Sequence, residues 1–165
     1  MVKLLGSLCV LAGGALARWA QVSERRRQRD TLSDLLTALR RMAEEIRMAR
    51  TALPDLLERL AQDCGGDAAA FFRTAAAAAR RGEDLSQAWA AAAAALPLPD
   101  GDRTSLQALG ADLRGDEEKV CKAISLVNYE LAKRAEEREA RRPQEDRRAA
   151  ALCFSAAALL VILLI

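Results

Sequence analysis

The sequence contains no histidine, which removes the commonest general base, proton shuttle and metal ligand together. Aromatic residues make up only 4% of the chain, too few for the stacking platforms that hold single-stranded nucleic acid. Net charge is nearly absent as well: 25 Lys and Arg against 23 Asp and Glu leave +2. There is thus no general electrostatic case for a nucleic-acid partner, and basic residues matter where they cluster. No pair among Cys9, Cys64, Cys121 and Cys153 has the C-x-x-C spacing of a zinc or redox site, so they read as small buried or surface thiols. Alternating β-branched or aromatic runs are missing too, and nothing predicts a strand. The fold class left is all-α.

Motifs for chemistry are equally scarce. Gly65-Gly66 is not followed by Lys-Ser/Thr, as a phosphate-binding loop requires. The carboxylate pairs Glu44-Glu45 and Glu117-Glu118 are adjacent, which points their side chains to different parts of a helix surface. The expectation is a protein that is not an enzyme, with no catalytic, cofactor-binding or metal-binding residue.

What the chain does have is an uncharged apolar segment near each end. Leu4 to Ala17 reads LLGSLCVLAGGALA, and apolar character continues through Trp19, Ala20 and Val22. A helix of about 20 residues spans about 30 Å, and Lys3 and Arg18 would snorkel to the two interfaces, with Trp19 well placed beside one. A cleaved signal peptide is the competing reading, because Lys3, a short apolar core and Ala15-Leu16-Ala17 imitate its three regions. The arginines that follow favour an uncleaved anchor. Ala149 to Ile165 reads AAALCFSAAALLVILLI, about 25 Å as a helix and sufficient for a thin bilayer.

The flanks orient both segments. Five arginines (Arg18, Arg25, Arg26, Arg27, Arg29) follow the first, and seven Lys or Arg between Lys133 and Arg148, ending in Arg147 and Arg148, precede the second. The positive-inside bias puts the intervening chain in the cytoplasm and both tips across the membrane. Beside a span, the plain role of the Arg25 to Arg29 cluster is to contact anionic lipid and fix topology, and no nucleic acid is expected. The expected division is a transmembrane helix over 1–22, a cytoplasmic helical bundle with a charged stalk over 23–148, and a second transmembrane helix over 149–165.

Between the ends, Leu32, Leu35, Leu36, Leu39, Met42, Ala43 and Ile46 recur at threes and fours opposite Arg40, Arg41, Glu44, Glu45 and Arg47, which predicts an amphipathic helix. Pro54 suits the first turn of a second, with Thr51 as its cap and Gly65-Gly66 as its end. A third begins near Asp67, carries Phe71-Phe72 and stops at Gly82. Asp84 caps a fourth with Leu85, Trp89 and Leu96, ended by Pro97 and Pro99. Asp102 caps a short fifth through Leu106 and Leu109 to Gly110. Asp116 opens the longest, striped with Val120, Ile124, Val127 and Leu131. Beyond Leu131 the pattern is almost wholly charged, a stalk that Pro143 kinks or breaks.

This order of features resembles the stage III sporulation protein AB family of endospore-forming bacteria, itself similar to the platform proteins of type II secretion and type IV pili. The carriers are the N-terminal apolar segment followed by Ser23-Glu24-Arg25-Arg26, then Leu35, Leu39 and Glu45-Ile46 before a turn at Thr51 to Pro54. Phe71-Phe72, Ala88-Trp89, Leu109-Gly110, Leu113 and Asp116 follow, then a long charged helix and the closing LLVILLI. The chain departs from the family pattern at Leu113-Arg114-Gly115-Asp116, at Val120, and in the alanine that replaces much of the polar surface.

The resemblance implies a non-enzymatic scaffold of the channel that joins mother cell and forespore, lying in the mother-cell membrane around the forespore. It implies as partners the membrane, other channel subunits and a cytoplasmic secretion-type ATPase, with self-association a further option. The residues it marks as structural are Glu45, Pro54, Phe71, Trp89, Gly110 and Asp116. The alternatives are a platform of another secretion or pilus system, against which the lack of an internal repeat counts, and a membrane-tethered helical signalling adaptor. The apolar stripe after Asp116 lasts about two heptads, short of what a coiled coil needs.

Overall fold

A computed structural model describes residues 19–48 and 51–141, and the helical backbone alone over 2–18 and 142–164. The described residues form six helices and no strand: α1 (Val2–Arg47), α2 (Leu53–Asp63), α3 (Gly66–Arg81), α4 (Leu85–Ala94), α5 (Asp100–Asp112) and α6 (Glu117–Leu164). Among the described residues no helix is long and apolar enough to cross a membrane. The spans expected over 1–22 and 149–165 fall almost wholly outside them. Two compact units result, Met1–Asn128 and Tyr129–Ile165.

In the first unit the amphipathic stripe of α1 turns inward as its period requires. Leu32, Leu35, Leu39, Met42 and Ala43 are buried there with Leu56, Leu57 and Leu60 of α2, Phe71 and Phe72 of α3, and Trp89 of α4. Leu106 and Leu109 of α5 and Val120, Ile124 and Val127 of α6 are buried as well. Truncating one such leucine to alanine typically costs about 2–5 kcal/mol, the spread reflecting how far the site can collapse. The start of α6 lies antiparallel to α1: the Cys121 thiol donates to the Ala43 carbonyl at 3.5 Å, and the Asn128 amide to the Leu36 carbonyl at 2.7 Å. Arg40 Nε donates to the Asn128 side-chain oxygen at 3.4 Å, satisfying the other end of a buried amide.

The helix boundaries follow local chemistry at most points. Asp84 caps α4, its carboxylate accepting from the backbone N–H of Ser86 at 2.9 Å and of Gln87 at 3.3 Å. Gly82 ends α3 in the left-handed conformation at φ 70°, which glycine adopts without steric cost. Gly82 N–H there donates to Ala79 O and Glu83 N–H to Ala78 O, closing a Schellman turn.

Four expectations are corrected. Thr51 does not cap α2; the N-cap is Ala52, Pro54 sits in the first turn, and the Thr51 hydroxyl instead faces Glu45 Oε2 at 3.5 Å. Asp102 is not the cap of α5 but is buried inside its first turn at 1% exposure, with Pro99 at the N-cap. Gly110 does not end that helix, which continues to Asp112. The backbone of α6 also stays helical through position 143, so Pro143 does not break it. In the second unit Arg134 pairs with Glu130 at 3.1 Å, one helical turn apart.

Candidate functional site

The residues marked at sequence level divide between the core and the surface. Phe71, Trp89 and Gly110 come together. Phe71 stacks edge-on against Trp89 with ring centroids 4.6 Å apart and against Phe72 at 4.9 Å, a geometry that sets the positive ring edge on a negative face. Trp89 is fully buried, and its indole N–H donates to the Leu106 carbonyl of α5 at 2.7 Å. Gly110 makes that approach possible, since a Cβ there would lie 2.8 Å from Trp89 Cδ1 and 3.2 Å from the Ser86 carbonyl oxygen. These three residues lock α3, α4 and α5 together and hold the bundle's shape.

Glu45 is half-buried and accepts from Thr51, Pro54 is half-buried at the start of α2, and Asp116 is exposed and pairs with Lys119 at 3.2 Å. None of the three converges with another titratable group of the marked set.

Of the basic residues expected to flank the membrane, Arg18, Arg147 and Arg148 have side chains outside the described residues. Arg25 and Arg26 are exposed. Arg27 is exposed as well, and its guanidinium donates to both carboxylate oxygens of Asp67 at 2.6 and 2.7 Å, while the Thr31 hydroxyl faces the same carboxylate at 3.5 Å. The two hydrogen bonds from Arg27 hold the Asp67 carboxyl below the usual carboxylate range, against the opposing effect of partial burial. One turn on, Asp34 accepts from the Gly65 backbone N–H at 2.9 Å. Arg27, Thr31 and Asp34 thus form one line along α1 that receives the N-terminus of α3. Sequence reading missed this line, although the i, i+4, i+7 spacing was visible.

A second surface contact joins Asp84 to Arg114. Partial burial pushes the Asp84 carboxyl up, but the backbone N–H of Gln87, the Arg114 guanidinium and the backbone N–H of Ser86 outweigh it and hold it below its ordinary value. Here the arginine by which the chain departs from the family pattern is tied to the cap of α4.

Between the C-terminal end of α1 and the first turns of α6 lies a groove of about 590 Å³, lined by Arg47, Glu117, Glu118, Cys121, Lys122 and Ser125. Its rim charges have a local origin, a cation at a helix C-terminus and carboxylates at a helix N-terminus. Among the described residues no three His, Cys, Asp or Glu side chains are grouped so as to hold a metal ion. The Cys64 thiol is pushed up to about 11 by burial and by the nearby Asp34 and Asp63 carboxylates, the opposite of an activated nucleophile.

A family model described as stage III sporulation protein AB matches residues 3–165, nearly the whole chain. The chain belongs to the stage III sporulation protein AB family. Membership assigns it a role in stage III of sporulation, and the family is not a known enzyme family. No curated protein and no solved structure matches the chain. In this family member the Trp89–Gly110 contact sets α4 against α5.

Proposed function

We propose that this chain is a non-enzymatic membrane scaffold of the mother cell–forespore channel complex, whose cytoplasmic bundle docks a secretion-type ATPase. The observation that carries the reading is the family match over residues 3–165. The sequence supports the membrane part: uncharged segments at 4–17 and 149–165, each with its basic residues on the side toward the bundle. The helix pattern supports the scaffold part, because α1 and α6 each carry such a segment within one continuous helix, and their bundle stretches pair antiparallel. On this reading residues 1–22 and 149–165 cross the mother-cell membrane around the forespore, and residues 23–148 meet the ATPase and other channel subunits in the cytoplasm.

Deletion of the gene in its host is expected to arrest spore development after engulfment, and normal spore yield would overturn the reading. Photo-crosslinkers at Arg59, Arg73 and Glu118, all exposed, are expected to capture the ATPase in sporulating cells. A reporter active only outside the cytoplasm, fused at Ile165, is expected to be active.

A further inference from the structure

The stretch of α1 between the apolar segment and the bundle is exposed throughout residues 19–27. Trp19 is 73% exposed and Val22 44%, two apolar side chains with no place in the core. At about 100° per residue, Trp19, Val22, Arg25 and Arg26 fall within about one third of the helix circumference. Glu24 and Arg27 lie outside that arc. The contacts of Arg27, Thr31 and Asp34 with Asp67 and Gly65 settle which side of α1 meets α3, and the arc of Trp19 and the arginine pair points away from it. Arg25 and Arg26 carry no ion pair among the described residues, whereas Arg27, next in the chain, is committed to Asp67.

The three adjacent arginines thus differ in surroundings: Arg27 is tied to Asp67, and Arg25 and Arg26 are exposed. We propose that the Trp19–Val22–Arg25–Arg26 face of α1 is a lipid-contact surface, with the indole at headgroup level and the two guanidiniums on the phosphates of anionic lipid. The indole suits the interface because one edge is apolar and the other donates a hydrogen bond. From Trp19 to Arg26 is about 10 Å along the axis, and helical side chains lean toward the N-terminus, which brings the arginine heads back toward the level of Trp19. The face holds no carboxylate to repel phosphate, and paired cations beside a span are the arrangement that anionic headgroups recognise. Arg27 takes no part in it.

The inference rests on the membrane reading above, and one experiment separates the two. The full chain is reconstituted into phosphatidylcholine vesicles, retention through flotation and alkaline wash is scored, and association of spin-labelled phosphatidylglycerol is compared with that of spin-labelled phosphatidylcholine. The wild type is expected to prefer phosphatidylglycerol, R25Q/R26Q to lose at least about twofold of that preference, and R27Q to keep it. Both arginines are exposed and carry no ion pair among the described residues, so the double variant is expected to retain wild-type helicity by circular dichroism. If the chain is retained but R25Q/R26Q leaves the preference unchanged, as it would if an acidic protein met this face, or if R27Q removes it equally, the lipid surface is overturned alone. If the chain is not retained at all, the membrane reading falls and takes this inference with it.

Discussion

Gly110 lies so close to Trp89 that a methyl group added to it would meet the indole Cδ1 at 2.8 Å and Cγ at 3.1 Å. Both atoms belong to a rigid ring that is itself held by Phe71 and by the Leu106 carbonyl. Gly110→Ala is therefore expected to destabilise the bundle by about 1–3 kcal/mol, the usual cost of overpacking, despite alanine's better helix propensity. Denaturant unfolding followed by Trp89 fluorescence checks it, and a more stable variant would refute the contact.

Trp89→Phe keeps an aromatic ring but removes the N–H that the Leu106 carbonyl accepts. A loss of about 1 kcal/mol or more is expected, from the hydrogen bond and the smaller ring together. Combined with Gly110→Ala, the two losses should be less than additive, because the smaller ring relieves the clash. Strict additivity in a double-mutant cycle would show that the two sites are independent.

The Arg27–Asp67 pair predicts an acid-side dependence. The folded carboxyl titrates below its unfolded value, so the pair's contribution is present above the unfolded carboxylate range and fades as pH falls through the folded one. Asp67→Asn should lower stability at neutral pH and flatten the profile on the acid side. Thermal unfolding at neutral and acid pH, at low and high salt, measures it; Arg27 is exposed, so the effect is expected to be small and salt-sensitive.

Asp84 serves two partners. Asp84→Ala removes the cap of α4 and the acceptor for Arg114 and is expected to lower Tm by a few degrees, whereas Arg114→Gln removes the ion pair alone and should cost less. Equal losses would mean that the cap contributes nothing.

Cys64, with its thiol pushed up to about 11, should alkylate slowly. At mildly alkaline pH its thiolate fraction is roughly a hundredfold below that of a free thiol. Labelling by iodoacetamide, resolved site by site by mass spectrometry, should find Cys64 unreacted until the bundle is unfolded. A raised thiol contributes stability below its unfolded value that is lost as pH rises toward about 11.

The all-α class, six helices and most of their ends were legible in sequence, because each rests on local signals. Leu32, Leu35 and Leu39 repeat at the helical period, Gly82 takes the left-handed turn that ends α3, and Asp84 caps α4. Two of the failures share a cause. Thr51 and Asp102 are residue types that cap helices, but a cap is chosen by where the chain enters the helix. Pro54 and Pro99 moved those entries, leaving Thr51 beside Glu45 and Asp102 buried in the first turn.

Sequence alone determined the helices, the two uncharged ends and the stripe that must face a core, since periodicity and charge are properties of neighbours along one strand of chain. Tertiary structure decided which of three consecutive arginines binds Asp67, that Gly110 admits Trp89, and that Asn128 ties α6 to α1. Each of those depends on atoms 21 to 92 positions apart, brought within hydrogen-bond or van der Waals range only when the helices close on one another.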